Sequence, residues 1–279
     1  MLTRRDFGKL ASIAPLAAMS QPVPTPIYEQ YVPLLTLPVD APAGLGVGAP
    51  WQSADDIPAM LEKLRPAWWY DWRWEQCGSP GYVPMIWSDA IWAQSKEHIV
   101  AMFARRPELF WLLWNEPEIA DGQANMAPDL TATLTAEIAG HGIRYAAPGV
   151  SLTASGYRWL DAYMAAGGPV PPVWHVHIYW AQEPAQWSGA WAKWLGWMKA
   201  NHAERPTIIS ETNAWTESAH GQRRMIEHVA GLLDTEPLLR AVAWFATRFT
   251  WGAGHPMLID DAGNLTETGR MFAAMREQS

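Results

Sequence analysis

Eight short apolar runs, separated by stretches with helical periodicity, constrain the fold of this chain more than any other feature. The runs are Leu45–Ala49, Ala67–Trp72, Tyr82–Trp87, Phe110–Trp114, Ile143–Ala147, Val173–Trp180, Thr207–Ser210 and Ala241–Thr247. Strands that are buried on both faces read as continuous apolar runs, and alternation with helices requires right-handed crossovers and a parallel sheet. Eight such units in about 235 residues predict a single-domain α/β fold, the (β/α)8 TIM barrel.

A doubly wound open sheet is the structural alternative, because it is also built from alternating strands and helices. Such a sheet favours a glycine-rich first turn that binds phosphate and an acidic residue at the end of the second strand. The glycines of residues 44–48 lack the dinucleotide spacing, and no clear acidic residue ends a second strand. The barrel is therefore favoured, and the active sites of such barrels lie at the carboxyl ends of the strands.

The amino terminus resembles an export signal. Arg4 and Arg5 are followed by Phe7, Lys9 and a weakly apolar stretch over residues 10–19, which is too short to span a bilayer. We interpret residues 1–20 as a twin-arginine-type signal peptide and expect a periplasmic or secreted protein; a basic cytoplasmic terminus that matches by chance is the alternative. Residues 21–43 contain six prolines and predict an extended lead-in, which leaves residues 44–279 for the barrel.

Charge and cysteine content exclude several function classes. The net charge is −8, so neither nucleic acid nor an anionic membrane surface is a natural partner, and no integral membrane segment is expected. The only cysteine, Cys77, is interpreted as a structural thiol. The 19 tryptophans greatly exceed ordinary usage, and such rings stack on sugars as well as filling cores. We expect a monomer whose partner is a polysaccharide or oligosaccharide.

Two glutamates close apolar runs that are expected to lie across the barrel from each other. The fourth run is followed by Asn115, Glu116 and Pro117, and the proline should stop the strand because it donates no ladder hydrogen bond. The seventh run ends at Ser210 and is followed by Glu211. One glutamate in such a position is often a loop residue or an ion-pair partner, but two on one rim can face each other over a cleft.

Facing carboxyl groups are the requirement of glycoside hydrolysis. One carboxylic acid protonates the leaving oxygen and one carboxylate attacks the anomeric carbon, with about 5–5.5 Å between them in the retaining mechanism. The acid must stay protonated near neutral pH, so its pKa should be raised by a neighbouring charge and an apolar wall, to which Trp111 and Trp114 could contribute. We therefore predict Glu116 and Glu211 as the catalytic residues.

The sixth run carries polar side chains at alternating positions. Period-two alternation places His175, His177 and Tyr179 on one strand face, the later two nearer the rim. His177 and Tyr179 could bind the nucleophile or the sugar, whereas His175 is interpreted as a core histidine. Two histidines on one face could also ligate zinc, but no third ligand is evident, so we expect no metal ion and no cofactor.

Further substrate-binding candidates follow the strand ends. Asn115, next to the acid, could bind the sugar 2-hydroxyl, a contact that strengthens in the transition state. The other candidates are aromatic residues that could face a sugar or pack in the core, and the sequence does not separate these roles. They are Tyr70, Trp72, Trp87, Trp180, Trp215 and Trp244.

These residues resemble the motifs of clan A glycoside hydrolases. The Asn-Glu-Pro of residues 115–117 is similar to the fourth-strand motif of the clan, residues 177–179 are similar to its sixth-strand motif, and Glu211 occupies the position of its nucleophile. Residues 69–72, 82–87 and 258–266 most resemble glycoside hydrolase family 128, and the resemblance extends over residues 44–279. It implies a retaining catalytic domain that acts on β-1,3-glucan, with Glu116 as general acid/base and Glu211 as nucleophile.

The sequence differs from the family pattern around the expected cleft. Asp71 stands where the family has asparagine, Trp180 where it has glycine, and residues 212–213 where phenylalanine and glycine follow the nucleophile. These differences bear on the substrate more than on the chemistry. Our leading hypothesis is a secreted, endo-acting β-glucanase that favours β-1,3 linkages. The alternatives are another clan A activity, such as a β-xylanase or β-glucosidase, and a carbohydrate-binding barrel without turnover.

Overall fold

A computed structural model describes residues 41–50, 57–216, 218–248 and 257–276, and these contain nine strands and seven helices. The strands are β1 (Gly44–Gly48), β2 (Trp69–Tyr70), β3 (Met85–Ile86), β4 (Phe110–Leu113), β5 (Arg144–Ala146), β6 (Val150–Ser151), β7 (Trp174–Ile178), β8 (Thr207–Thr212) and β9 (Leu239–Phe245). The helices are α1 (Ile57–Leu64), α2 (Asp89–Arg105), α3 (Pro128–Ala139), α4 (Ala154–Ala165), α5 (Pro184–Ala200), α6 (Ala219–Thr235) and α7 (Glu267–Arg276).

All strand pairings are parallel, and the strands follow one another around a barrel. Six strands pair in the order β2-β1-β9-β8-β7-β6, and three pair in the order β3-β4-β5. Single parallel bridges, Trp69 to Tyr82 and Ala146 to Val173, connect the two groups at both seams. The first and last strands pair directly, with Gly44 opposite Ala241. This arrangement confirms the predicted α/β barrel.

Each of the eight predicted runs overlaps a strand, and one additional strand is present. The extra strand, β6, consists of two residues and pairs with β7, whereas β5 just before it pairs with β4. The fifth barrel position is therefore shared by two short strands joined at Ala147, Pro148 and Gly149. This irregularity brings Ser151 to the rim at which β4 and β8 end.

The helices bury one face against the barrel, as amphipathic spacing requires. In α1 the buried residues are Ile57, Met60 and Leu64, three and four positions apart. Ser88 accepts a hydrogen bond from the Ile91 amide and caps α2, which fixes the point at which the chain turns back after β3.

Many tryptophans fill the space between barrel and helices, and their indole N–H groups find buried acceptors. Trp187 donates to Thr212 Oγ1 at 3.0 Å, and Trp194 donates to Thr207 Oγ1 at 3.0 Å. Buried indoles need such partners, because an unpaired N–H in an apolar core costs about 1–3 kcal/mol. The fully buried tryptophans are Trp111, Trp114, Trp174, Trp187, Trp194 and Trp244.

The predicted signal peptide of residues 1–20 and nearly all of the proline-rich lead-in of residues 21–43 lie outside the described residues. Within the described residues, no helix is both long and apolar enough to cross a membrane. Cys77 is buried, its thiol donates to the Trp74 carbonyl, and burial raises the pKa of the thiol to about 11. The thiol therefore stays protonated, as expected for a structural cysteine.

Candidate active site

Glu116 is aimed into the barrel by an unusual backbone path after β4. Trp114 and Glu116 have φ values of +62° and +46°, which non-glycine residues adopt at a cost of about 1–3 kcal/mol. The Glu116 amide donates to the Gly149 carbonyl at 2.7 Å. A Cβ atom at Gly149 would lie 2.6 Å from both the Trp114 carbonyl oxygen and the His175 ring, so glycine is required there. Strain retained beside a buried carboxylate is typical of a functional site.

Glu211 lies within β8, and a β-bulge turns its side chain inward. Val176 is opposite Ile209, but the next residue, His177, is opposite Glu211, so Ser210 is the extra residue of the bulge. In a regular strand Ser210 and Glu211 would point to opposite faces. The bulge lets both face the barrel interior, where Ser210 contacts His175 and Glu211 contacts the rim residues.

Neutral donors hold both oxygens of Glu211. The Trp72 indole N–H donates to Oε1 at 2.7 Å, and the Tyr179 hydroxyl donates to Oε2. Tyr70 supports the strand from below, because its hydroxyl donates to the Ser210 carbonyl at 2.7 Å. The orientation of the nucleophile candidate is thus fixed by two residues that follow β2 and β7.

Glu116 is held by a different set of groups. The Ser151 hydroxyl of β6 donates to Glu116 Oε1, and His177 Nδ1 lies 3.2 Å from the same oxygen. On its other side, His177 Nε2 lies 3.7 Å from Glu211 Oε1. One oxygen of each glutamate and one ring nitrogen of His177 lie within 4.8 Å of one another, so the two carboxyl groups face each other as predicted.

His177 lies between the two glutamates and forms a hydrogen bond with Glu116. Burial alone would lower its pKa, but the negative charges of Glu211 and Glu116 and the hydrogen bond to Glu116 raise the pKa above its ordinary value. A protonated His177 between two carboxylates lowers the repulsion between them. Beneath it, His175 is fully buried, contacts Ser210 and has a pKa lowered mainly by burial, which confirms its interpretation as a core histidine.

The two glutamates differ in proton affinity. Burial and the charge of Glu116 raise the pKa of Glu211, and the charge of His177 and the two hydrogen bonds only partly offset them. Burial also raises the pKa of Glu116, but the hydrogen bond and charge of His177, together with the Ser151 hydroxyl, outweigh it and lower the pKa. Glu116 is therefore the stronger acid of the two.

The predicted apolar wall beside Glu116 is wrong. The Trp111 ring packs edge-on against Phe103 of α2, with 5.0 Å between ring centroids. The Trp114 indole N–H donates to Thr135 Oγ1 of α3 at 2.8 Å. Both rings point away from the barrel axis toward the helices, so Glu116 meets polar partners instead of indole faces.

The Glu116, His177 and Glu211 side chains are also close enough together to hold a metal ion. Carboxylate oxygens of both glutamates, however, already accept hydrogen bonds from Ser151, Trp72 and Tyr179. A metal ion would have to compete with these donors for the carboxylate oxygens. The arrangement favours acid–base chemistry, and the expectation of no metal ion and no cofactor stays a prediction.

The aromatic candidates divide into a buried and an exposed group. Tyr70 and Trp244 are 0% and 1% exposed, so they pack beneath the site and present no surface to a sugar. Their prediction as sugar-contacting residues is corrected on this ground. Trp72 and Trp87 are partly exposed. Trp180 is 55% exposed, and its ring centroid lies 4.3 Å from that of the partly exposed Trp215.

Asn115 is placed where it can accept a hydrogen bond. It is 3% exposed, and its Nδ2 donates to Gln123 Oε1 at 2.8 Å. Its Oδ1 is buried and has no hydrogen-bond partner among the described residues. Because an unsatisfied buried oxygen is costly, this atom is a candidate acceptor for a sugar hydroxyl.

Sequence reasoning missed two polar residues of the site, Ser151 and Glu118. Ser151 follows the fifth apolar run by four residues, on a strand too short to show a periodic pattern. Glu118 was visible in the sequence two residues after Glu116, but nothing in the sequence showed that its side chain turns back into the protein. Its Oε1 accepts a hydrogen bond from the Ser151 amide at 2.8 Å.

Several β-1,3-glucanases of glycoside hydrolase family 128 have solved structures with a similar fold. An endo-β-1,3-glucanase of subgroup II from Pseudomonas viridiflava is 23% identical, with a TM-score of 0.63 over 82% of this chain and 96% of that one. A subgroup I enzyme from Amycolatopsis mediterranei, a glutamate-to-alanine variant bound to laminaripentaose, is 23% identical, with a TM-score of 0.63 over 84% and 99%.

A third structure, a curdlan-specific exo-β-1,3-glucanase of subgroup III from Blastomyces gilchristii bound to glucose, is 20% identical, with a TM-score of 0.62 over 82% and 97%. At these identities the likeness shows the fold. No curated protein matches the sequence. The family model of the glycosyl hydrolase catalytic core matches residues 48–272, a range that contains Glu116, His177 and Glu211. The chain therefore belongs to the glycosyl hydrolase catalytic core family.

Proposed function

We propose that this protein is a retaining glycoside hydrolase that cleaves β-glucan by double displacement. The observation that carries the proposal is the pair of buried glutamates at the strand ends, with an oxygen of each within 4.8 Å of the other. Retaining enzymes hold their carboxyl groups about 5–5.5 Å apart, whereas inverting enzymes leave about 6.5–9.5 Å for a water molecule. The separation in this barrel supports the retaining arrangement.

Glu211 acts as the nucleophile in this proposal. Its carboxylate attacks the anomeric carbon while the bond to the leaving oxygen breaks, and Glu116 donates its proton to that oxygen. The glycosyl–Glu211 ester is then attacked by water, from which Glu116 removes a proton, and Glu211 leaves as a carboxylate. The Trp72 and Tyr179 donors orient Glu211 for attack and accept it again as the leaving group.

Glu116 must carry the proton for the first step, although its pKa is lowered and that of Glu211 is raised. His177 contacts Glu116 at 3.2 Å and Glu211 at 3.7 Å, so it is the group that can hand a proton to Glu116. Transfer leaves His177 neutral and removes the charge that lowers the pKa of Glu116. A neutral imidazole then remains beside an ionised Glu211, which is the protonation state that attack requires.

The substrate proposal is β-1,3-glucan. The family 128 neighbours are β-1,3-glucanases, and the Amycolatopsis enzyme was solved with laminaritriose and laminaripentaose. Asn115 Oδ1 supplies an acceptor near the acid, and the Trp180–Trp215 pair supplies an apolar surface on the rim next to Tyr179. Sugar C–H faces stack on such rings, so we assign this pair to the binding of a glucosyl unit.

A hydrolysis screen tests the proposal. Purified protein is incubated with β-1,3-, β-1,4- and mixed-linkage glucans and with xylan, and the products are followed by proton NMR from the first turnover. We expect β-anomers to form first from β-1,3-glucan, and Glu116→Gln and Glu211→Gln to lower kcat by about 10³-fold or more with folding intact.

Each other outcome of the screen points to a specific alternative. Activity on xylan or only on small β-glucosides would replace the substrate proposal with another clan A activity. First-formed α-anomers would overturn double displacement. Binding of glucan without any release of reducing ends, unchanged in both glutamine variants, would mean a carbohydrate-binding barrel.

We also propose that the protein acts outside the cytoplasm. The support is the paired arginines and short apolar stretch of residues 1–20, which resemble a twin-arginine signal. Polysaccharide is an extracellular substrate for most cells, so export would bring the barrel to it. Fractionation of cells that express the full chain, compared with an Arg4→Lys and Arg5→Lys double variant, tests this: export should be lost in the double variant.

A further inference from the structure

A third carboxyl group lies behind the acid/base candidate. Glu118 follows Glu116 by two residues, and its Oε1 accepts a hydrogen bond from the Ser151 amide at 2.8 Å. Its Oε2 is buried and has no hydrogen-bond partner among the described residues. The backbone between the two glutamates is fixed, because the Ile119 amide donates to the Glu116 carbonyl and the Met126 amide donates to the Pro117 carbonyl.

Ser151 connects the two carboxyl groups. Its amide N–H donates to Glu118, while its side-chain hydroxyl donates to Glu116 Oε1. Amide and hydroxyl belong to one residue on a two-residue strand, so a shift of Ser151 relative to Glu118 would also move the hydroxyl that binds Glu116. The chain Glu118–Ser151–Glu116 is thus a continuous set of hydrogen bonds that ends on the acid/base candidate.

The electrostatic environment of Glu118 supports a link to Glu116. Burial and the negative charge of Glu116 raise the pKa of Glu118 to about 7, while two backbone hydrogen bonds and the charge of His177 partly offset them. The charged groups that act on Glu118 are therefore the same Glu116 and His177 that form the site. Since the interaction of two carboxylates is mutual, an ionised Glu118 favours a protonated Glu116.

We propose that Glu118 is a positioning residue for Glu116, acting through Ser151, which it anchors so that the serine hydroxyl meets the acid/base carboxyl. Glu118 touches no substrate in this account. Its second contribution is its negative charge, which helps Glu116 to keep the proton that the leaving oxygen needs. The inference deepens the proposed function and rests on it.

Two variants separate the anchor from the charge. Glu118→Gln keeps an oxygen that can accept from Ser151 but removes the charge, so the basic limb of the kcat/KM pH profile should move to lower pH by roughly 0.5–1 unit. Glu118→Ala removes the anchor as well, and should lower kcat about 10-fold with KM unchanged. Glu118→Asp keeps a carboxyl and should retain the wild-type basic limb.

A matched control is Glu108→Gln, which removes a carboxylate of an exposed residue before β4, at the opposite end of that strand from Glu116. It should leave both the pH profile and kcat unchanged. The substrate is a soluble laminari-oligosaccharide, and thermal unfolding of each variant is measured in parallel.

The outcomes distinguish this inference from the proposed function. If wild-type protein hydrolyses no β-glucan, the proposed function fails. If wild-type protein is active and Glu118→Gln keeps the wild-type basic limb, the inference fails while the function stands. A loss of activity in Glu118→Ala that merely follows a loss of thermal stability, with no shift of the limb in Glu118→Gln, would mean a structural role and would also overturn the inference.

Discussion

Two sides of the same cleft hold a buried glutamate by opposite means. Glu116 and Glu211 are 6% and 4% exposed, so burial does not distinguish them. On the Glu211 side, burial and the charge of Glu116 raise the pKa, and the neutral indole and phenol donors only partly offset them. On the Glu116 side, burial is outweighed by the hydrogen bond and charge of His177 and by a serine hydroxyl, so the pKa is lowered. Two carboxyl groups of similar exposure therefore differ in proton affinity because of the groups around them.

The two glutamates differ in acidity in the sense opposite to their proposed roles. The group proposed as the acid is the more acidic of the pair, so the proposed mechanism requires transfer of a proton to Glu116. His177 is the one described ring that contacts both carboxyl groups. A site of this kind titrates as a unit, and its pH profile reports the group of three and not a single glutamate.

Removal of the His177 charge should have the largest effect on the difference between the two glutamates. In a His177→Asn variant the pKa of Glu116 should rise, because its largest stabilising partner is lost. We nevertheless expect kcat to fall by about 10³-fold, because asparagine cannot hand a proton to Glu116, and this size lies within the range of general acid–base effects. The measurement is the pH dependence of kcat on a laminari-oligosaccharide. A matched control is His228→Asn on α6, whose ring contacts Ser188 on the outer surface. A wild-type profile in His177→Asn would contradict the shared-proton account.

A second prediction concerns Glu118, which lies on the Glu116 side, and the pH dependence of the free energy of unfolding. The folded-state pKa of Glu118 is raised from 4.5 to about 7, so its stabilising contribution is present below about pH 4.5 and lost as the pH rises through about 7. In the Glu118→Gln variant this pH-dependent loss of stability is absent, because glutamine does not titrate. Between pH 4.5 and 8 its free energy of unfolding should fall by about 3 kcal/mol less than that of wild type.

Urea unfolding at several pH values measures this difference, with Glu108→Gln as the control for removal of an exposed carboxylate. Equal pH dependence in wild type and Glu118→Gln would show that Glu118 ionises normally in the folded protein. The proposed effect of the Glu118 charge on Glu116 would then lose its support, although the hydrogen bonds of Ser151 to both glutamates would remain.

The smallest effect is expected on the Glu211 side. Tyr179→Phe removes one of two neutral donors from the carboxylate, a hydrogen bond to a charged group worth about 1.5 kcal/mol, so kcat should fall about 10-fold. Tyr163→Phe is the control, since its hydroxyl donates to the Pro169 carbonyl at 2.9 Å, outside the site. Steady-state kinetics of both variants measure this effect. Equal kcat values for wild type and Tyr179→Phe would mean that Trp72 alone orients Glu211.

The barrel and the two glutamates at its rim could be predicted from the sequence, because both depend on patterns along the chain. Apolar runs mark buried strands, and the polar residues after them mark the rim, which identified Glu116 and Glu211. It also predicted His177 from alternation on β7. These features require no knowledge of how distant side chains pack.

The features that sequence reasoning missed depend on local backbone irregularity and packing. The bulge at Ser210 turns Glu211 inward, whereas regular alternation would point it outward, and the sequence of β8 does not indicate the bulge. The positive φ values at Trp114 and Glu116 accompany backbone hydrogen bonds of both residues with Gly149, which is distant in the sequence. Whether an aromatic ring lines a cleft or fills a core, as for Tyr70, depends on neighbours from other strands that the sequence does not identify.

Covalent trapping tests whether Glu211 is the nucleophile and Glu116 the acid/base. The protein is incubated with a β-1,3-linked glucose disaccharide that carries fluorine at C2 and an activated leaving group at the anomeric carbon of its reducing-end unit. The fluorine slows hydrolysis of the glycosyl–enzyme ester, and the labelled peptide is identified by mass spectrometry. We expect one disaccharide per chain on the peptide that contains Glu211, and no label in Glu211→Gln. A label on Glu116 would contradict the assignment, and so would turnover of the natural substrate with inversion of the anomeric carbon.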